Sequence, residues 1–188
     1  ARHHDSYPAL LALIEGRPVA ELTALYRDRD PAVMDLYRHF GVVCQYVDSK
    51  HFLSVFISDL DDPDLVIRHF VCDALGELGQ KEAIPLLKPL LDDDAVVPGW
   101  AEPVNASAAI PLSWLGSPAG FPVMFERAER YPRYSGGVCA HFRRFSDKDF
   151  GTDLEAWKKH FAVNAPIPPE NEPYRWRDMV GEGPGITA

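Results

Sequence analysis

The sequence is short of several things, and each shortage excludes a class of protein. It has three cysteines, Cys44, Cys72 and Cys139. The number is odd, no two share a CxxC spacing, and each sits in an apolar stretch. They are therefore read as buried free thiols rather than a disulfide framework. Cations are outnumbered: 19 Lys and Arg stand against 28 Asp and Glu, a formal charge of −9. A sequence-independent nucleic-acid binder needs the opposite balance to displace counterions. No apolar run approaches the roughly 18 residues that a membrane span requires. There is no GxSxG elbow, no Gly-rich phosphate loop with its Lys-Ser/Thr and no GxGxxG, so the common nucleophile and nucleotide signatures are missing. What remains is a chain of 188 residues, 46% hydrophobic, with the length of one domain and enough apolar side chains for a packed core. It begins at Ala1 without a methionine, read as a processed or trimmed product. Localisation stays open, with the cytoplasm favoured.

What the sequence does contain is a repeat. Asp30-Pro31 and Asp62-Pro63 recur with a period of about 32 residues. Each pair reads as a helix start, because an Asp carboxylate caps free first-turn N–H groups and Pro loses nothing at the first helical position. Asp64 adds negative charge near the positive end of the helix dipole. Val66, Phe70, Ala74 and Leu78 follow at spacing four, flanked by Ile67, Val71 and Leu75. This wide stripe predicts a helix buried on much of its circumference. Gly79 supplies a left-handed stop. A second helix is expected over Ala83–Leu91, with Pro85 in its first turn and Pro89 shortening or kinking it. Leu87 belongs in the core.

An earlier copy keeps the register in Val33, Leu36, Tyr37, Phe40 and Val43, then Phe52, Val55 and Leu60. Pro8–Ile14 and Val19–Tyr26 form another candidate pair. Downstream, Ala108–Leu115 ends in Leu-Gly as Leu75-Gly76 does, and Phe121-Pro122-Val123-Met124 echoes Ile84-Pro85-Leu86-Leu87. Residues 95–104 interrupt this unit and are read as an inserted loop. Two helices per unit at this period predict an all-α fold, a short α-solenoid in which stacked hairpins bury one another's apolar faces. Three segments follow: 1–17, an N-terminal segment and first helix; 18–162, the repeat domain; and 163–188, a Pro- and Gly-rich extended tail whose Tyr174, Trp176 and Met179 are expected to pack back along the domain.

Residues Asp62–Asp92, with their Asp-Pro start, Ala74-Leu75-Gly76-Glu77-Leu78-Gly79 and Ala83-Ile84-Pro85-Leu86-Leu87, resemble a HEAT-like repeat of the phycobilisome-lyase type. The chain end, with Phe142-Arg143-Arg144-Phe145, Asp149-Phe150-Gly151-Thr152-Asp153 and Ala156-Trp157, is similar to the final unit of many bacterial HEAT-repeat proteins. The likeness implies architecture and leaves function open, because one scaffold hosts many roles. HEAT-type metal hydroxylases carry repeated His-Glu pairs, and no His-Glu dipeptide occurs here. In the terminal unit, Thr152 and Glu155 are read as a capping box. Trp157 and Phe161 share a helix face, with Trp157 expected to plug the last repeat.

Candidate chemistry is sparse. His69, Cys72 and Asp73 fall at i, i+3 and i+4 of one predicted helix, a spacing that brings side chains together, but no second ligand pair accompanies them and no metal or cofactor is assigned. Ser135-Gly136-Gly137 reads as a helix entry. The acidic runs at 59–62 and 92–94 fall at turns, where caps and solvated acids are ordinary. Arg127, Arg130 and Arg133 recur at spacing three and, with Arg143 and Arg144, form a candidate positive strip. No catalytic residue is assigned. The expected function is a non-catalytic protein-binding scaffold whose second helices expose His51, Ser54, Phe56, Lys88, Arg127 and Arg130, with Trp100 on the inserted loop as a further anchor. The resemblance keeps open an enzyme or cofactor chaperone of the bilin-lyase kind and, more weakly, a HEAT-like nucleic-acid binder. The expected partner is another protein, without membrane involvement and with the oligomeric state open.

Overall fold

The computed structural model describes residues 56–99 and 102–169, together with the isolated helical residue Ala24. The two upstream repeat copies before Phe56, Cys44, His51, Ser54, Trp100 and the tail beyond 169 lie outside the described residues. Within them the fold is all-α, with a single two-stranded ladder.

Helix α1 runs over Leu65–Leu78. Its cap is Asp64, whose carboxylate accepts from the Val66 N–H at 2.9 Å. The expected cap, Asp62, instead accepts from the Asp64 N–H at 2.8 Å. That bond closes a turn, places Pro63 outside the helix and moves the start two residues on. The helix ends at Gly79, whose φ of 69° is left-handed, and its N–H donates to the Gly76 carbonyl. After a 3-10 turn comes α2, Ile84–Leu87, with Pro85 in its first turn. Pro89 brings no N–H to the ladder, and the chain tightens into a 3-10 turn over Lys88–Asp92.

The segment read as an inserted loop is a hairpin. Strands β1, Val96–Val97, and β2, Glu102–Pro103, pair antiparallel. It is fastened at its base: the Val104 N–H donates to the Ala95 carbonyl at 3.0 Å and the Asn105 N–H to the Asp93 carbonyl at 2.8 Å. These carbonyls satisfy the first turn of α3, Val104–Trp114, whose cap position, Pro103, has no side-chain acceptor. An Arg68–Asp93 ion pair at 3.2 Å ties the base to α1.

Helix α3 holds the molecule together. It packs on α1, on the 88–92 turn and on α4, Phe121–Arg130. Ala108, Leu112 and Leu115 join a core with Phe56, Phe70, Leu75 and Leu87. Ala109 joins a second core with Phe121, Met124, Phe142 and Trp157. Two glycines admit the neighbours. A Cβ on Gly76 would lie 2.7 Å from Pro111 Cβ and from Trp114 Cε3, and one on Gly120 would lie 2.5 Å from the Ala109 carbonyl oxygen.

Two further helices close the second core: α5, Ser135–Arg143, and α6, Leu154–Val163. Ser135-Gly136-Gly137 forms the first turn of α5. Asp153, with its carboxylate on the Ala156 N–H at 2.9 Å, caps α6. The expected Thr152–Glu155 capping box is therefore corrected by one residue: Asp153 holds the extended backbone a cap requires, and Thr152 is exposed. Trp157 is fully buried, stacked on Phe161 and edge-on to Phe150, with its indole N–H on the Gly151 carbonyl at 3.1 Å. Past α6 the backbone turns back, and the Ile167 N–H donates to the Phe145 carbonyl at 2.9 Å. Among the described residues, no helix is long and apolar enough to cross a membrane.

Candidate functional site

The amphipathic pattern of α4 sets up the site. Phe121, Met124 and Ala128 are buried in the second core. Helical periodicity then turns Val123, Glu126, Arg127 and Arg130 toward the opposite side. Tyr131 ends the helix, and a 3-10 turn over Pro132–Tyr134 carries Arg133 and Tyr134. Facing them are Asp94, Val96, Pro103, Asn105 and Ala106, from the hairpin and the first turn of α3. Together these walls enclose a groove of about 370 Å³.

Its cations are held against rings. The Arg127 guanidinium lies 4.2 Å from the centre of the Tyr134 ring. That of Arg133 lies 4.9 Å from the same ring and 5.7 Å from Tyr131, and it donates to the Tyr134 hydroxyl at 3.2 Å. The two tyrosines meet edge to face, 6.1 Å between centres. Cation–π contact orients both guanidinium groups against the rings. Arg130 is exposed at the end of α4. Two carboxylates, Asp94 and Glu126, also line the groove, so it offers acceptors as well as donors.

The sequence-predicted residues divide. Arg127, Arg130 and Arg133 come together here, and the inserted segment supplies the facing wall. Lys88 is exposed on the 88–92 turn, outside this groove. Phe56 is corrected: it has no exposed surface and fills the first core, because its ring packs inward with Leu60 and Phe70. Arg143 and Arg144 do not extend the strip. Arg143 pairs with Asp149 at 2.8 Å, holding that carboxyl below its ordinary range, and Arg144 donates to the Ser113 carbonyl at 3.2 Å. The sequence reading missed Tyr131 and Tyr134, although Tyr131-Pro132-Arg133-Tyr134 directly follows the Arg-bearing turn.

Three serine–histidine contacts lie elsewhere; the last joins half-buried Ser146 Oγ and His160 Nε2 at 2.9 Å. His69 Nδ1 is 2.6 Å from Ser107 Oγ, and its Nε2 is 3.8 Å from Asp73 Oδ2. This has the membership of a nucleophilic triad. Its serine, however, is only 4% exposed and sits on α3 opposite His69 of α1, where no substrate carbonyl reaches it. Cys72 faces the core instead of joining His69 and Asp73, and burial, reinforced by Asp73, pushes its thiol far up. Cys139 is likewise a buried free thiol. In the second contact, Ser113 Oγ donates to the Ile110 carbonyl at 2.7 Å and therefore accepts from His141 Nδ1 at 3.0 Å. Burial, then Arg144 and Arg127, lower the His141 pKa to about 4. Ser113 is also fully buried. Among the described residues no group of three His, Cys, Asp or Glu side chains is placed to hold a metal ion.

Compared with known proteins, the chain matches no family model, no curated protein and no solved structure.

Proposed function

We propose that the chain is a non-catalytic protein-interaction scaffold, a short solenoid of HEAT-like hairpins, and that the groove between the β1–β2 hairpin and α4 is its partner surface. The repeat reading draws support from α1 with the 84–92 segment and from α3 with α4. Each pair is a long buried helix, a left-handed glycine, a 3-10 turn and a second helix opening with Pro in its first turn. In keeping with stacked repeats, α3 gives one face to each core.

One observation carries the functional reading. The only described insertion into the repeat and the Arg–Tyr turn after α4 face each other across one groove. Insertions on one face of a repeat array commonly bind, and Arg and Tyr are the residue types most enriched among binding hot spots. The Ser107 and Ser113 hydroxyls are sealed inside the helix packing, which weighs against nucleophilic chemistry at those two serines.

Affinity capture from the source cells tests this, using the intact chain beside a chain carrying Arg130→Glu and Arg133→Glu with a matched melting temperature. A discrete protein recovered with the first and lost with the second is the expected result. Identical recoveries, or a retained small molecule with no protein, overturn it.

A further inference from the structure

Taking the groove as the partner surface, we infer that its occupant is a second copy of this chain, docked about a twofold axis so that Asp94 of each copy meets Arg130 of the other. Charge and apolar exposure on the two walls both point that way. The hairpin wall carries Asp94, which is exposed, and Val96 two residues on, which is 59% exposed. The α4 wall ends in exposed Arg130, with Tyr131 next to it and 37% exposed. Among the described residues four large hydrophobic side chains are exposed, and these two line the groove, one on each wall. Asp94, Glu126 and Arg130 form no ion pair among the described residues. Each is open to a partner.

The order of the charges selects the occupant. An occupant of one sign meets a like charge on one wall: an acidic segment or a phosphodiester backbone meets Asp94, and a basic segment meets Arg130. What fits both walls carries an acid and a base in the reverse order, with an apolar group beside each. This chain presents that set itself. A twofold axis lays the hairpin wall of one copy on the α4 wall of the other and repeats the contact, as every isologous interface does. Two Asp94–Arg130 pairs then flank two contacts of Val96 with Tyr131. Glu126 precedes Arg130 by one helical turn, which leaves the basic end of α4 to Asp94. The charge of −9 on each copy opposes the approach. That repulsion is screened beyond roughly 8 Å at physiological salt, while the pairs act in contact. The dimer therefore forms reversibly and depends on concentration.

Analytical ultracentrifugation of the full chain at physiological salt provides the test, over about a hundredfold range of concentration. A reversible monomer–dimer equilibrium is expected. Asp94→Arg alone and Arg130→Asp alone should each weaken it about tenfold or more, because each sets like charges together at both pairs. Mixing these two variants should restore the dimer, since opposite signs then face each other again, and the chain carrying both substitutions should dimerise by itself. The exposed α6 residue Lys159 gives the control, and Lys159→Asp leaves the equilibrium unchanged. Asp94 and Arg130 are themselves exposed, and an unaltered melting temperature shows that each variant is folded. A monomer at every concentration, a dimer indifferent to either reversal, or a mixture of the two variants that stays monomeric overturns the inference. Should a different protein be captured through the groove while the chain stays monomeric, the scaffold reading stands and only the second copy is lost.

Discussion

Single residues decide how closely the helices approach. Gly76 marks the tightest contact of α1 with α3, and a methyl group there meets Pro111 and Trp114 at 2.7 Å. Alanine gains about 1 kcal/mol of helix propensity over glycine. Overpacking costs about 1–3 kcal/mol, because a proline ring within a helix has little room to yield. Gly76→Ala should therefore lower the urea midpoint, and an unchanged or raised midpoint would show that the contact relaxes freely. His141 makes a second prediction at this scale. Its folded pKa is about 4, against an ordinary value of 6.5. The unfolded chain thus takes up this proton first as pH falls. Stability from the neutral imidazole is complete above pH 6.5 and is lost as pH drops toward 4. The loss should be on the order of 2–3 kcal/mol. Urea titrations across that range should show this slope, and a His141→Gln variant should lack it.

At the scale of elements, the terminal helix separates two roles. Trp157 fills the second core against Phe142, Phe150 and Phe161. Trp157→Ala should cost about 3–5 kcal/mol in a chemical melt; a near-zero cost would remove it from the core. Asp153→Ala should cost about 1 kcal/mol, and Thr152→Ala close to nothing. The reverse order would restore Thr152 as the cap. Much of this level was legible beforehand. The stripe from Val66 to Leu78, the stop at Gly79, the shortening at Pro89 and the burial of Leu87 and Trp157 all follow from periodicity and backbone chemistry within a few residues. Cap positions were less legible, since Asp62, Asp64, Thr152 and Asp153 all carry capping side chains and backbone dihedrals choose among them. The hairpin was hidden because two-residue strands carry no alternation to read. Phe56 was misplaced because helical register alone does not say which side of a helix finds a neighbour.

Across the described residues as a whole, α3 is shared by two cores, and the groove lies between the hairpin before α3 and the turn after α4. Distant parts of the sequence thus form one surface, which is why the arginines were visible in the sequence and their ring partners and facing wall were not. Leu87→Ala should cost about 2–5 kcal/mol through a cavity in the first core, without altering what the groove captures. The most direct measurement places a photo-crosslinking amino acid at Val96, at Arg130 or at exposed Lys159, one position per preparation, and irradiates each in an extract of the source cells. The account predicts the same protein adduct from positions 96 and 130 and none from 159. Adducts from 159 alone, or different proteins from the two walls, would contradict it.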